Sequence, residues 1–354
     1  MFTRAFFKFF PPPVYLETRH GGLHISDDAV RIIQFVQGLK GLEVRKHGMR
    51  ALPRGVVDAG FIKDEKALGT ILKELVTELG ITSVTASLPE EKMYLFKLDV
   101  PSLNEKEIRQ TIEFKLEENV PLSPADAVFY FDIVPSPVAG SGKHTVMVSV
   151  APRKVIDTYL SVLTGAGLTV TSFEVEARAL ARAFVPKSAP DCELIVNVMN
   201  HKTGLYIVSG GVVSFTSTVL WGGALVTEAI AKEFGKTPEE AELLKRNAGY
   251  HDAQDTKKVL TAVAGTVGVL QKEIEKVYSY WVENGEEGKP IDRVVLCGSD
   301  SLLVGLASHV TPNPEIPTIV ADTWMNAFSK DAYIPPISHD ESLDYAVAIG
   351  LALS

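Results

Sequence analysis

The chain has 354 residues, of which 46% are hydrophobic and 22% are charged, and its net charge is −9. This length exceeds what one small core can organise, so we expect two domains or one domain with subdomains. The negative charge argues against a general nucleic-acid-binding protein, and no apolar run reaches the roughly 18 residues of a membrane-spanning helix.

A Phe-rich segment opens the chain at residues 1–13 and ends in three consecutive prolines. Its five Phe side chains, together with Arg4 and Lys8, allow two interpretations. The segment either folds back onto the body, or residues 1–10 act as a short anchor at a membrane surface or as a docking peptide for a partner. The prolines predict a stiff spacer between this segment and the rest of the chain.

The first half is organised around a predicted hairpin at residues 14–35. Its strands flank a polar turn formed by Ser26, Asp27 and Asp28, and a third strand at residues 41–49 completes a meander. Because a turn between strands can direct backbone N–H groups at a phosphate, these three turn residues are candidate nucleotide-binding residues. Asp is also common in ordinary hairpin turns, so a purely structural role stays open.

A small inserted α+β subdomain is predicted at residues 88–172. Its elements run strand, helix, strand, strand, helix and strand, with Asn104 as the N-cap of the first helix, Glu105–Asn119. The loop at residues 136–143 contains GSGK, but it lacks the spacing of a phosphate loop and no helix follows it. A flexible hairpin loop is therefore expected there.

The second half repeats the opening pattern of strand, polar turn, strand, glycine turn and strand at residues 193–219. Three helices follow, and the second begins with a capping box formed by Thr237 and Glu240. A strand, a glycine turn with a helix, a further strand and a closing helix near residues 343–354 end the chain. Two such meanders, each starting one half, are typical of the actin superfamily.

The two cysteines, Cys192 and Cys297, lie beside apolar strands and do not have the spacing of a metal site. We therefore predict buried, reduced thiols and no metal site. The sequence also contains no HExxH motif and no GxSxG elbow, so it gives no indication of zinc-protease or serine-hydrolase chemistry.

The ordered motifs of the chain resemble those of the type IV pilus assembly protein PilM family, from about residue 14 to residue 354. The resemblance lies in GLHISDDAVRIIQF, LPRGVVDAGFIKD, KLDVPSLNEKEIRQTIEFKLEENVPLSP, WGGALVTEAIA, AELLKR, CGSDSLLVGL and YAVAIGLALS. It implies an α/β fold of the actin-like, ribonuclease H-like class, with two domains and an inserted α+β subdomain, as in the cell-division protein FtsA.

The resemblance also implies a division of the chain. A closing helix near residues 343–354 would pack on subdomain 1A. The implied subdomains are 1A at residues 14–87 and 173–186, 1C at 88–172, 2A at 187–226 and 291–354, and 2B at 227–290.

The implied role is that of a scaffold in a pilus or a related secretion system, in the cytoplasm at the inner face of the cytoplasmic membrane. PilM-like proteins bind the cytoplasmic tail of the inner-membrane protein PilN and form a ring or platform between the pilus motor ATPases and the membrane complex. A PilN-like tail, motor ATPases and further copies of this chain are therefore the expected partners, and no nucleic acid is expected.

The tail-binding groove is implied to lie between the inserted subdomain and the first actin-like domain. The strand LFKLDVP and the helix Glu105–Asn119 are the segments expected to line it. The candidate contact residues are Leu95, Phe96, Leu98, Val100, Ile112 and Leu116.

ATP or ADP with Mg²⁺ is the cofactor that the family fold implies. The family's acidic positions in the two turns correspond here to His24 and Asn197, and its turn glycines correspond to Ser26 and Met199. Asn cannot supply the anionic oxygen that Mg²⁺ prefers, so hydrolysis is not expected. His24 has a second interpretation as a structural histidine on a strand. Arg31 stands where the family commonly has Lys.

Other parts of the implied nucleotide site are retained. Two glycines could approach a phosphate, two charged residues match ribose and base contacts, and a glycine–serine pair matches the adenosine turn. These residues are Gly222, Gly223, Glu242, Lys245, Gly298 and Ser299. Gly298 is equally explained as an ordinary turn between a strand and a helix. Glu176 is a weak candidate for a water-orienting carboxylate, and a charge at a helix start is the alternative.

Two other functions use the same fold. The first is a weak ATPase or phosphotransferase of the actin and sugar-kinase superfamily, which the replacement of both acidic positions disfavours. The second is an FtsA-like polymerising division protein, which filaments seen with nucleotide would favour.

Overall fold

A computed structural model describes residues 20–38, 41–101, 104–134, 143–186, 191–248, 253–285, 289–329, 331 and 333–354. The predictions for the Phe-rich segment at residues 1–13 and for the start of the opening strand at residues 14–19 lie outside these residues. So does nearly all of the predicted loop at residues 136–143. Those predictions stay predictions.

A five-stranded sheet forms the centre of the first half, in the order β10-β6-β1-β2-β3. Strands β1, β2 and β3 are antiparallel neighbours, while β6 runs parallel to both β1 and β10. Their bounds are Gly21–Ile25 for β1, Ala29–Gly38 for β2, Gly41–Ala51 for β3, Ser83–Leu88 for β6 and Thr169–Val175 for β10. A short hairpin of β4 (Val57–Asp58) and β5 (Phe61–Ile62) follows β3.

A second five-stranded sheet has the same layout, in the order β13-β12-β11-β14-β15. Its first three strands form an antiparallel meander, and its last two run parallel to β11 and to each other. The bounds are Cys192–Val198 for β11, Thr203–Ser209 for β12, Val212–Val219 for β13, Arg293–Cys297 for β14 and Thr318–Val320 for β15. The duplication predicted from the two meanders is therefore present in the topology of both sheets.

The inserted sheet has three strands, in the order β7-β9-β8, with bounds Tyr94–Pro101, Lys143–Pro152 and Ala127–Ile133. One part of the sequence-based prediction is wrong here. The strand β10, whose first residues we assigned to this subdomain, pairs in parallel with β6 along its whole length and lies at the edge of the first sheet. The physical reason is that its apolar side chains Val170 and Phe173 pack against the core of the first half.

Ten α-helices surround the sheets in the described part of the chain. They are α1 (Glu65–Leu79), α2 (Glu105–Asn119), α3 (Arg153–Gly165), α4 (Glu176–Phe184), α5 (Gly223–Phe234), α6 (Pro238–Asn247), α7 (Ala253–Asn284), α8 (Leu306–His309), α9 (His339–Ser342) and α10 (Ala346–Ala352). Short 3-10 helices occur at Glu90–Lys92 and Leu343–Tyr345. The predicted capping box of Thr237 and Glu240 is formed at the start of α6.

The closing helix α10 links the two halves. It lies against β1, where a Cβ atom at Gly22 would collide with the carbonyl oxygen of Ala348. Ala348 and Ile349 share a core with Ile33 of β2, while Val347 packs in the core that α4 forms with the second sheet. The absence of a side chain at Gly22 thus lets the C-terminus close over the first sheet.

Candidate functional site

Two side chains of the turn between β1 and β2 bond to each other and to Arg31 of β2. The Ser26 hydroxyl donates to Asp28 Oδ1 at 2.6 Å and accepts from Arg31 Nη1 at 3.0 Å. Arg31 Nη2 donates to Asp28 Oδ2 at 3.2 Å, and Arg31 is buried. Burial would raise the pKa of Asp28, but the Arg31 charge and the Ser26 hydroxyl hold that pKa below its ordinary value. Two of the three predicted phosphate ligands in this turn are therefore paired with Arg31.

Asp27 is also bound within the protein. Its carboxylate accepts hydrogen bonds from the backbone N–H groups of Ala59 at 3.1 Å and Gly60 at 3.2 Å. Ala59 has a φ of 45°, and Gly60 a φ of 75°. The backbone of this turn directs both N–H groups at one carboxylate. The Asp27 side chain therefore fixes the β4–β5 hairpin to the first turn.

The turn between β11 and β12 covers the start of helix α5. The N–H of Gly223 donates to the carbonyl of Met199 at 3.0 Å, and that of Ala224 donates to the carbonyl of Asn200 at 2.8 Å. Free N–H groups at a helix start are the usual binding site for a phosphate. In this arrangement both N–H groups already have protein acceptors, and Gly223 lies against the turn.

Lys245 is held by two carboxylates. Its Nζ lies 2.6 Å from Asp300 Oδ1 and 2.8 Å from Glu242 Oε2. Burial would raise the pKa of Glu242, but hydrogen bonds from Lys245 and Thr227 lower it. Asp300 also accepts from the hydroxyl of Ser299 at 3.1 Å and lies so close to Gly223 that a Cβ atom there would collide with it. Asp300, which the sequence analysis missed, thus neutralises the cation expected to contact a nucleotide.

Two of the predicted nucleotide-binding residues, Lys245 and Ser299, line a cavity of about 400 Å³. Gly298, with a φ of 92°, makes the turn that leads into it. Two cationic and four carboxylate side chains line the cavity, so a polyphosphate entering it would meet more negative than positive charge. Its lining includes Lys245, Arg246, Ser299, Asp300, Asp340, Glu341 and Asp344.

The two positions that replace the family's acidic residues are both buried. Neither ring nitrogen of His24 makes a hydrogen bond to a described residue, and its Nε2 lies 3.5 Å from Glu176 Oε1. Asn197 Oδ1 lies 3.7 Å from the Sγ of Cys297. Cys192 and Cys297 are both free and buried, which confirms the prediction of reduced thiols. Neither position offers an anionic oxygen for Mg²⁺.

Glu176 is the first residue of α4, but it is not a surface charge. It is 1% exposed, and its Oε1 lies 3.4 Å from Lys202 Nζ. The Tyr206 hydroxyl donates to its other oxygen at 3.5 Å. Burial alone would raise the pKa of Glu176, but the Lys202 ammonium and contact with His24 lower that pKa to about 2. Glu176 is therefore a buried carboxylate in contact with an internal cation.

Two glutamates of the Glu90–Lys92 helix complete this charge cluster. Glu91 Oε2 lies 2.8 Å from Lys202 Nζ, and Glu90 accepts the backbone N–H of Ala177 at 3.1 Å. Burial raises the pKa of Glu90 to about 8, and the charge of Glu176 adds to that shift. Lys202, Glu90 and Glu91 were not among the residues predicted from the sequence. A lysine beside a buried strand and paired glutamates after β6 were the available signals.

Among the residues that the structure describes, no group of three or more His, Cys, Asp or Glu side chains is placed to hold a metal ion. With the N–H groups of α5 bonded and Lys245 paired, the residues of this arrangement do not fit a magnesium–nucleotide complex. No helix within the described ranges has both the length and the apolar composition to cross a membrane.

Of the predicted partner-binding residues, three are fully buried and three are partly buried. For the fully buried residues the prediction is wrong. Val100, Ile112 and Leu116 are at most 1% exposed and form the core between α2 and the inserted sheet. Helical and strand periodicity places them on inward faces, so they present no surface to a partner. Phe96 and Leu98 are partly buried against the same core. Leu95, on the opposite face of β7, packs against the core around α4.

An exposed aromatic residue on the same helix was missed. Phe114 of α2 is 80% exposed. A cavity of about 520 Å³ lies between α2, the strand β8 and the start of α3. Arg109 lies over the ring of Phe129 beside that cavity, at 5.3 Å, and Arg153 also lines it. The inserted subdomain therefore has an aromatic and basic surface that its core residues do not form.

The comparisons with known proteins agree with this architecture. A family model described as "Type IV pilus assembly protein PilM" matches residues 22–354. A structure described as "PilM-PilN type IV pilus biogenesis complex" is 22% identical, with a TM-score of 0.79, and the match covers 95% of this chain and 98% of that one.

Two further structures share the fold. The ethanolamine utilization protein EutJ from Carboxydothermus hydrogenoformans is 15% identical, with a TM-score of 0.57 and coverage of 97% of this chain and 90% of that one. MreB5 of Spiroplasma citri bound to ADP is 14% identical, with a TM-score of 0.51 and coverage of 94% of both chains. These likenesses identify an actin-like α/β fold, as the sequence predicted.

Proposed function

Because this chain belongs to the PilM family of type IV pilus assembly proteins, we propose that it is an actin-like scaffold that binds the cytoplasmic tail of a PilN-like inner-membrane protein. The observation that carries the proposal is the family match over residues 22–354. In this role the protein lies in the cytoplasm at the inner face of the membrane. It connects the tail to the motor ATPases and assembles with further copies of itself.

The inserted subdomain is the proposed docking surface for the tail. Its support is two features of the inserted subdomain, the exposed Phe114 on α2 and the cavity lined by Arg109 and Arg153. Exposed aromatic and Arg side chains are the residue types that most often dominate binding energy in protein interfaces. Arg153 begins α3, which packs on the first sheet, so this surface lies where the inserted subdomain meets the first half.

The scaffold role does not need nucleotide hydrolysis. His24 and Asn197 stand where the family has acidic residues, and Lys245 is paired with Asp300. These features support a protein that uses the actin-like body as a rigid support and not as an ATPase.

A titration calorimetry experiment with the full chain and a synthetic PilN-like tail tests this function. We expect saturable binding, weakened about tenfold or more by Phe114→Ala because a central aromatic contact is lost. Leu243→Ala is the matched control, since Leu243 is 61% exposed on α6 in the second half. Absence of binding to the unmodified chain would contradict the proposed function, and equal loss in both variants would contradict the proposed surface.

A further inference from the structure

We propose that Lys202 is a built-in cation that locks the two halves of the molecule and the inserted subdomain into one closed arrangement without a nucleotide. Given the scaffold role proposed above, this lock holds the partner-binding surface in a constant position. The assignment follows from which elements the ammonium joins, how deeply it is buried and what the neighbouring turns contain.

One ammonium group links the second turn, which carries it, to two other parts of the fold. Lys202 immediately precedes β12 of the second sheet. Its Nζ reaches Glu91, 111 residues away, on the short helix that connects β6 of the first sheet to β7 of the inserted sheet. It also reaches Glu176 at the start of α4, the helix that packs on the second sheet. A movement of any of these parts would separate the ammonium from at least one carboxylate.

The position of Lys202 is enclosed. Lys202 is 8% exposed, and the side chains of Glu91 and Glu176 are 14% and 1% exposed. Burial would lower the pKa of Lys202, but the charges of Glu176, Glu91 and Asp27 raise it above its ordinary value. The ammonium therefore stays charged. Removing one member of this cluster would leave a buried charge without its partner, so the three side chains depend on one another for their placement.

The lock lies at the cleft between the two hairpin turns. A cavity of about 460 Å³ is lined by Asp27 of the first turn and by His201 and Lys202 of the second. A cleft closed by a bound metal opens when the metal leaves, because a ligand shifts an equilibrium only while it is bound. A lysine ammonium is covalently part of the chain and cannot leave. Closure of this cleft is therefore independent of a ligand.

A distance measurement by double electron–electron resonance tests the lock. Spin labels are attached after Lys73→Cys on α1 and Glu239→Cys on α6, while Cys192 and Cys297 are buried and remain unlabelled. The parent protein should give one narrow distance distribution that Mg²⁺-ATP leaves unchanged. Lys202→Met should make that distribution about twofold broader, because the halves can then move relative to one another.

Two further variants separate the lock from general loss of folding. Lys115→Met, which breaks an exposed pair with Glu118, should leave the distribution as in the parent. The triple variant Lys202→Met, Glu91→Gln, Glu176→Gln buries no unpaired charge, so it should fold as the parent does and still give the broad distribution. A parent-like distribution in this triple variant, or a shift of the parent distribution with Mg²⁺-ATP, would overturn the proposal.

The measurement does not use the tail, so it is independent of the proposed function. If the parent protein fails to bind the tail while Lys202→Met still broadens the distances, the scaffold role is wrong and the lock stands. If the tail binds and the distances do not change, the lock is wrong and the scaffold role stands.

Discussion

The two hairpin turns occupy equivalent positions in sheets of the same strand order, yet their polar groups have different partners. In the first turn Ser26, Asp28 and Arg31 bond to one another within five residues of sequence. In the second turn the carbonyl of Met199 bonds to α5, and Lys202 reaches Glu91 on the far side of the cleft. The first turn stabilises its own half, and the second turn joins the halves.

This difference shows that repeated topology does not impose a repeated role. Both turns derive from the same strand–turn–strand pattern, which in this superfamily can bind a phosphate. In this protein the polar groups of both turns bond to other protein groups. Which part of the fold each turn stabilises therefore depends on where those bonded groups lie. Four substitutions test this comparison, from the largest expected effect to the smallest.

Loss of the first turn's cation should have the largest effect on stability. Arg31→Met leaves the Asp28 carboxylate without its buried partner, so we expect the thermal midpoint to fall by about 3–6 °C. Hydrogen exchange should accelerate in the first sheet and not in the second. Arg50→Met is the control, since Arg50 pairs with Glu78 on the surface and should cost little. Equal shifts in the two variants would show that the first turn is not a stabilising cluster.

Removal of Asp300 should change ligand binding beside the second turn. Asp300→Ala frees Lys245 from its shortest ion pair, so ADP affinity measured by calorimetry should rise about tenfold, the equivalent of one charge-assisted hydrogen bond. Glu239→Ala, which removes an exposed carboxylate from the same helix α6, should not change it. If both variants bind ADP as the parent does, pairing with Asp300 is not what limits the site.

Protonation of Glu90 should make the free energy of unfolding of the protein depend on pH. Its pKa in the folded protein is about 8, above the ordinary value of 4.5. The folded state therefore holds this proton more tightly. The resulting stabilisation is complete below about pH 4.5 and is lost as the pH rises through 8.

Glu90→Gln should remove that pH dependence, because the amide is neutral at every pH and its oxygen can still accept the Ala177 N–H. The difference in thermal midpoint, Glu90→Gln minus parent, should be a few degrees larger at pH 8.5 than at pH 5. A constant difference between the two proteins over this range would show that Glu90 is not protonated in the folded state.

The smallest effect is expected at Asp27. Asp27→Asn keeps one oxygen acceptor for the N–H groups of Ala59 and Gly60 but loses the charge that strengthens both bonds. The thermal midpoint should fall by about 1–3 °C, with the loss confined to the β4–β5 hairpin in hydrogen exchange. A larger fall than that of Arg31→Met would contradict the order proposed for the first turn.

The sequence by itself determined the fold and the family. The two meanders, the capping box at Thr237 and the apolar periodicity of the helices are local patterns, and local patterns are what a sequence displays directly. The replacement of both acidic positions by His24 and Asn197 was also visible there, because it depends only on which residue stands at each turn.

Only the tertiary structure decided which charges meet and which apolar residues are accessible. Lys202 pairs with Glu91 across 111 residues, and Asp300 pairs with Lys245 across 55. Val100 and Ile112 are core residues, whereas Phe114 is exposed. Such outcomes depend on how sheets and helices pack against one another, and neither residue spacing nor composition specifies that packing.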